Sequence, residues 1–173
     1  MSINCISLTK ERVIEMIKIA IEEPRFTDSP SRCFNLPYVV AEAFCIESKH
    51  IFNIVFPQNV NHDVLEALMR FVEVSDELSL NPTLCGYFNK IISFFLIKAP
   101  NQMVDYLSAD TDRYMNIVKH IYLNTTMVDV VIRICAVQGL DAEKYEKIDE
   151  IRVEILQTLS NSLEHIDDRF MTE

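Results

Sequence analysis

Glycine occurs at two positions in 173 residues, Gly86 and Gly139. A phosphate-cradling loop needs several glycines close together so that backbone can approach the ligand, so P-loop and dinucleotide fingerprints are excluded. Long apolar runs are equally scarce. No stretch exceeds four residues, as at Phe94 to Ile97, against the roughly 20 that a membrane-spanning helix needs. Met1 to Lys10 has neither the basic start nor the apolar block of a secretory leader. The expected compartment is therefore the cytoplasm, with the nucleus also open.

Basic clusters are missing too. The formal charge is -10, from 16 Lys and Arg against 26 Asp and Glu. A phosphate-backbone binder gathers its cations on one face, so nucleic acid is not the expected partner. The cysteines, Cys5, Cys33, Cys45, Cys85 and Cys135, contain no Cys-x-x-Cys pair and lie mostly among apolar residues. They read as small buried thiols in a reducing compartment, with no structural zinc site. His50, His62, His120 and His165 form no His-x-x-x-His or Glu-x-x-His pair, so no metal or cofactor is expected. A Cys and His nucleophilic pair formed only in three dimensions is disfavoured, because buried thiols are inert.

What remains is an ordinary folding composition, 49% hydrophobic and 24% charged, in a chain of about one domain's length. The whole chain reads as a single helical domain. Its clearest stretch is Leu80 to Ala99. Asn81 can cap a first turn and Pro82 suits the first helical position. Leu84, Phe88, Ile91, Ile92 and Phe95 form one apolar side, and Tyr87, Phe94 and Ile97 a second. Gly86, Asn89, Lys90 and Ser93 are the polar remainder, so neighbours should cover this helix on most of its circumference.

Around it, Thr9 to Glu22 carries Val13, Met16, Ile17, Ala20 and Ile21 at helical spacing, and Pro24 ends that helix. After a polar connection over Arg25 to Arg32, Pro37 opens a second helix running to about Glu47. Its face is Val40, Ala43 and Phe44, with Val39 and Ile46 beside it. His50 to Phe56 is too short to assign by period and is taken as helical, since no strand partner lies nearby. Asn59 or Asn61 caps a third long segment with Leu65, Leu68, Met69 and Val72 facing inward, ending near Ser75. Pro100 starts a short helix with Met103, Tyr106 and Leu107 inside. Asp110 or Thr111 caps another, with Tyr114, Ile117, Val118 and Ile121.

Asn124 to Thr126 is a cap cluster before Met127 to Val137. There Val128, Val131, Ile132 and Cys135 form one apolar face and Val130, Ile134 and Val137 another, interrupted by Asp129 and Arg133. An acid four residues before a base is the favourable helical order. Gly139 suits a left-handed stop. Ile148, Ile151, Ile155, Leu159, Leu163 and Ile166 form the stripe of a last helix, with Asp149, Glu150, Glu154 and Glu164 as its solvated acidic face. The fold class is all-α. Some eight short helices, several apolar on two sides, fit an armadillo/HEAT-like helical-repeat solenoid better than a bundle of equal long helices, although no repeat of fixed period is visible.

Consecutive helices in such a stack present their exposed edges as one surface. Lys119 and His120, with Asp129 and Arg133 on the next helix, form either a solvated edge with an intrahelical ion pair or a polar contact patch. Asn89 and Lys90 on the central helix join the same list of candidate partner-binding residues. The aromatics Tyr87 and Phe88 read as core.

Several segments together resemble the SAPS-domain proteins, phosphatase-associated regulatory subunits of the protein phosphatase 6 type. Leu36-Pro37-Tyr38-Val39-Val40-Ala41-Glu42 is similar to the family's aromatic-Pro-aromatic-Val-Ala-x-Glu segment, with Leu36 in place of an aromatic. Leu80 to Ile91 resembles its Leu-Asn-Pro-x-Leu-x-x-aromatic-Phe-x-Lys block. Gln102 to Leu107 resembles Gln-Val-Val-Glu-Phe-Leu. Val118-Lys119-His120-Ile121 and Met127 to Arg133 resemble its Leu-Lys-His-Ile and Met-Asp-hydrophobic-Arg region.

The resemblance runs from about Leu36 to Leu159. It implies an armadillo-like, non-catalytic scaffold that binds the catalytic subunit of a phosphatase 2A/6-type Ser/Thr phosphatase and directs it to substrates. The family is longer: the later part of its domain and its acidic C-terminal tail have no counterpart after Glu173. A solenoid cut there would leave Leu156, Leu159 and Leu163 uncovered. The alternative is a general helical adaptor for another protein partner. No catalytic residue is expected in either reading.

Overall fold

A computed structural model of the chain describes residues 8–25, 27–58, 61–74 and 80–170, with side chains described as far as residue 162. Its α-helices are α1 (Lys10–Ile21), α2 (Leu36–Phe44), α3 (Lys49–Val55), α4 (Asp63–Met69), α5 (Pro82–Lys98), α6 (Pro100–Ser108), α7 (Asp112–Val118), α8 (Thr125–Cys135) and α9 (Lys144–Phe170). A π turn over Ser31–Asn35 leads into α2, and a 3-10 turn over Arg70–Val72 extends α4. The described residues contain no strand, so the all-α class holds.

Local chemistry sets the boundaries. Asn81 Oδ1 accepts from the backbone N–H groups of Thr83 at 2.9 Å and Leu84 at 3.4 Å, and Pro82 follows at the position where its missing N–H costs nothing. Asn124 caps α8 in the same way through the Thr126 N–H at 2.9 Å. Asn61 Oδ1 accepts from Asp63 N–H at 3.2 Å just ahead of α4. Before α7 the Asp110 carboxylate, rather than the Thr111 hydroxyl, meets a free N–H, that of Asp112. Gly139 takes φ +74 beyond α8, the left-handed conformation that a β-carbon disfavours. The Asn59 cap, the helix end at Ser75 and the Cys5 thiol lie outside the described residues, and the side chains of Leu163, Glu164, His165 and Ile166 lie beyond the described side chains.

Helix α5 touches α1, α2, α6 and α8, while α1 also packs on α4 and α6 on α9. Phe88, Ile91 and Phe95 are fully buried in a core that runs continuously from Val13 to Ile155. Around Phe95 the rings of Phe44 and Phe56 stand edge-on at centroid distances of 6.4 and 5.4 Å, a favourable aromatic geometry. Tyr38 and Glu42 meet Lys90, and Glu47 meets Lys98; on the other side Asn124 meets Cys85, and Arg133 and Ile97 border one cleft. These pairings make α2, α5 and α8 lie side by side and run in one direction.

Some expected inward residues face out. Ile97 is 66% exposed. It follows Gly86, Lys90 and Ser93 at i, i+4, i+7 and i+11, so helical phase puts it on the outward stripe despite its apolar side chain. Ser93, assigned to the polar remainder, is buried. On α8 the buried positions are Met127, Val130, Val131 and Ile134, and Val128 and Ile132 turn to solvent instead of forming a second covered face. Val39 and Ile46 are exposed beside α2, and Leu156 is exposed on α9, while Leu159 packs partly on the core.

Replacing Phe88 by alanine should destabilise the fold by about 3–5 kcal/mol, the cost of an emptied aromatic site. Ile97→Ala should change stability by no more than about 0.5 kcal/mol. Urea unfolding of both variants measures the contrast, and equal losses would contradict the assigned faces.

Candidate functional site

The outward edge shared by α2, α5 and α8 collects half of the residues expected to meet a partner. On α5, Asn89 is half-buried and its Oδ1 accepts from the Ser93 hydroxyl at 2.8 Å. Lys90 forms an ion pair with Glu42 of α2, and its ammonium stands 5.8 Å from the centroid of the Tyr38 ring, within cation–π reach. The hydrogen bond from Lys90 holds the Glu42 carboxyl below the usual carboxylate range, and the same bond raises the Lys90 ammonium. The Lys90 carbonyl also faces the Cys45 thiol at 3.9 Å.

On α8, Asp129 and Arg133 are both exposed, one turn apart. Among the described residues no salt bridge joins them, although their order is the favourable one. Arg133 borders a cleft of about 450 Å³ together with Ser93 and Ile97 of α5 and Gly139. Asn89, Lys90 and Arg133 therefore belong to one edge, with Tyr38 and Glu42 as additional members. Those two stand at i and i+4 on α2, a spacing visible in the sequence; what was not visible is that Lys90 would lie opposite them.

Lys119 and His120 do not join this edge. Helix α7 stops at Val118, so both lie in the turn that follows rather than on a helix. Lys119 is half-buried, donates to Asn116 Oδ1 at 2.8 Å, and borders a different cleft with Tyr122, Leu123 and Thr158. His120 is 0% exposed. Its Nε2 lies 3.1 Å from the Val72 carbonyl, and its own carbonyl accepts from the Asn124 N–H at 3.1 Å. It is a packing residue that ties the α7–α8 turn to the end of α4, and its expected place in an exposed patch is corrected. Burial of a polar ring with a backbone partner explains the position without a ligand.

Thiol chemistry has little support here. Cys85 is fully buried, receives an N–H from Asn124 Nδ2 at 3.1 Å, and burial pushes its thiol up to about 11. Burial likewise raises Cys45 and Cys135. Such thiols stay protonated near neutral pH and are weak nucleophiles. Among the described residues no group of three His, Cys, Asp or Glu side chains could hold a metal ion, and no helix is long and apolar enough to cross a membrane. Comparison with known protein families, curated proteins and solved structures returns no match.

The depressed Glu42 carboxyl contributes stability above its unfolded value, and the contribution is lost as pH falls through the depressed folded value. Glu42→Gln should therefore melt slightly below the wild type at neutral pH, with the gap closing as the carboxylate protonates. Melting curves over an acid series measure it; a gap that persists in acid would show that the carboxylate charge is not what holds Lys90.

Proposed function

We propose that this chain is a non-catalytic regulatory scaffold that binds the catalytic subunit of a phosphatase 2A/6-type Ser/Thr phosphatase and directs it to substrates. The observation that carries the reading is the unequal fate of the residues that resemble the SAPS pattern. Most have a structural duty. Val40, Ala41, Leu84, Phe88, Met103, Tyr106, Val118, His120 and Met127 are buried; Asn81 and Pro82 start α5; Glu42 pairs with Lys90, and Asp105 with Lys144 and Lys147. Asp129 and Arg133 are exposed, and neither forms an ion pair among the described residues. A pattern residue without a role inside the chain is the best candidate for a role outside it.

Support for an armadillo-like stack comes from the order of contacts. Helices α2, α5 and α8 touch in turn, and they begin at Leu36, Pro82 and Thr125, about 43–46 residues apart, within the spacing of such repeats. Helix α1 touches α4, and Arg113 of α7 pairs with Glu66 of α4 at 2.6 Å. In such a stack the outward edge of the α2, α5 and α8 row is continuous. The exposed Tyr38, Val39, Ile97 and Ile132 beside Arg133 combine apolar area with an arginine, the composition of an interface centre.

The tagged chain, purified from its own cells, should bring a phosphatase 2A-like catalytic subunit in stoichiometric amount, identified by mass spectrometry. Asp129→Lys combined with Arg133→Glu should weaken that complex at least about tenfold without lowering the melting temperature. A different stable partner in place of the phosphatase would move the function to a general helical adaptor.

A further inference from the structure

We propose that Ser29, just ahead of the π turn that leads into α2, is a phosphorylation site for a Ser/Thr kinase that selects proline directly after the acceptor and a cation two residues beyond it. This goes beyond the scaffold reading and does not depend on which partner docks on the α2, α5 and α8 edge.

The prolines of the chain follow Glu23, Ser29, Leu36, Phe56, Asn81 and Ala99, so Ser29 is the one Ser or Thr that such a kinase could accept. The selection has a physical basis. Proline has no backbone N–H. A kinase groove that offers no acceptor at this position would leave the N–H of any other residue buried and unpaired, which is costly. Arg32 supplies the cation, and the pattern of charge along a substrate is a means by which kinases discriminate. Ser29-Pro30-Ser31-Arg32 therefore satisfies two independent requirements within four residues.

The structure makes the segment available. Ser29 is exposed. Its Oγ accepts from the Arg32 N–H at 3.3 Å, and its own O–H donates to no described group. A kinase reads its substrate as an extended segment, so the start of the π turn must open. None of the residues Ser31–Asn35 is buried, and a segment with few buried contacts opens at small cost. The Arg32 and Cys33 N–H groups leave the Ser29 carbonyl, at 2.9 and 3.0 Å, the Leu36 N–H leaves the Ser31 carbonyl, and the Arg32 guanidinium leaves the Ile19 carbonyl, at 3.3 Å; water can replace each partner. Pro37 limits the opening. It is buried at the head of α2 and has no N–H to bond the Cys33 carbonyl, so unwinding as far as Cys33 removes no bond made by residue 37.

In the transfer, Ser29 Oγ bonds to the γ-phosphorus of a nucleoside triphosphate, the bond from that phosphorus to the β,γ-bridging oxygen breaks, and the nucleoside diphosphate leaves with the electron pair. The hydroxyl proton passes to the catalytic base of the kinase. The product carries a charge of about -1.5 to -2 near neutral pH. It stands close to Arg32, which spends one N–H on the Ile19 carbonyl and keeps others for the phosphate among the described residues.

The test treats the full chain with a purified proline-directed Ser/Thr kinase and MgATP and locates the phosphate by mass spectrometry. A single phosphate on Ser29 is expected. Ser29→Ala should take up none, Arg32→Gln should slow labelling at least about tenfold, and Arg32→Lys should restore it. Melting curves establish that each variant is folded, and Pro30→Ala, a change at an exposed position that should also slow labelling at least about tenfold, carries the test if Arg32→Gln is not. Label on another residue alone, Ser29→Ala labelled like the wild type, or Pro30→Ala labelled as fast as the wild type would overturn the site. The chain purified from its own cells, grown with a phosphatase inhibitor, should carry the same phosphate; a Ser29 peptide that stays unmodified throughout the growth cycle would overturn it as well.

Discussion

Burial of α5 on every side but one is the condition on which the other helices depend. An α-helix seventeen residues long has an outward stripe at i, i+4, i+7 and i+11, and here that stripe is Gly86, Lys90 and Ile97, with Ser93 on the same phase but buried. All remaining directions are claimed by α1, α2, α6 and α8. The Asn81 cap fixes where the helix begins. A start one residue later would rotate no side chain by itself, but it would unravel the turn that seats Leu84 and Cys85 against their neighbours. Phe95 shows how tightly the faces are specified, since rings from α2, α5 and the end of α3 all meet it.

The ion pairs act on a different level. Lys10 with Asp63, Lys90 with Glu42, Arg113 with Glu66 and the lysines with Asp105 each join separate helices, and Lys98 with Glu47 joins α5 to the connection after α2. At partly exposed sites such pairs contribute about 0–1 kcal/mol each, so they orient helices that apolar burial has already brought together. They engage six of the sixteen Lys and Arg residues of an acidic chain. Arg133 on the α8 edge is exposed and takes part in none of these pairs.

Much of the fold was legible because its signals are local. Asn81 with Pro82, Asn124 ahead of α8, and Pro100 act on their own turns and mark the helix starts they were read to mark, whereas α8 ends at Cys135 and Gly139 takes its left-handed conformation further along the chain. The candidate site was legible only in part. Asn89, Lys90 and Arg133 share an edge, and Asp129 is exposed beside it, but Lys119 bonds within its own turn and His120 is sealed under it. Nothing in the Val-Lys-His-Ile run distinguishes an exposed histidine from one aimed at the Val72 carbonyl, 48 residues away.

The sequence by itself determined the helical class, the main starts and stops, and the stripes that would be buried, because periodicity and capping operate over about four residues. The tertiary structure decided which apolar residues would stay uncovered, Ile97, Val128 and Ile132 among them, and which polar residues would be enclosed, as Ser93 and His120 are. Those outcomes depend on which helix lies alongside. Lys90 opposite Tyr38 and Glu42, or Arg113 over Tyr106 and beside Glu66, are pairings between segments far apart in the chain, and they exist only once the side-by-side packing of the helices brings them within reach.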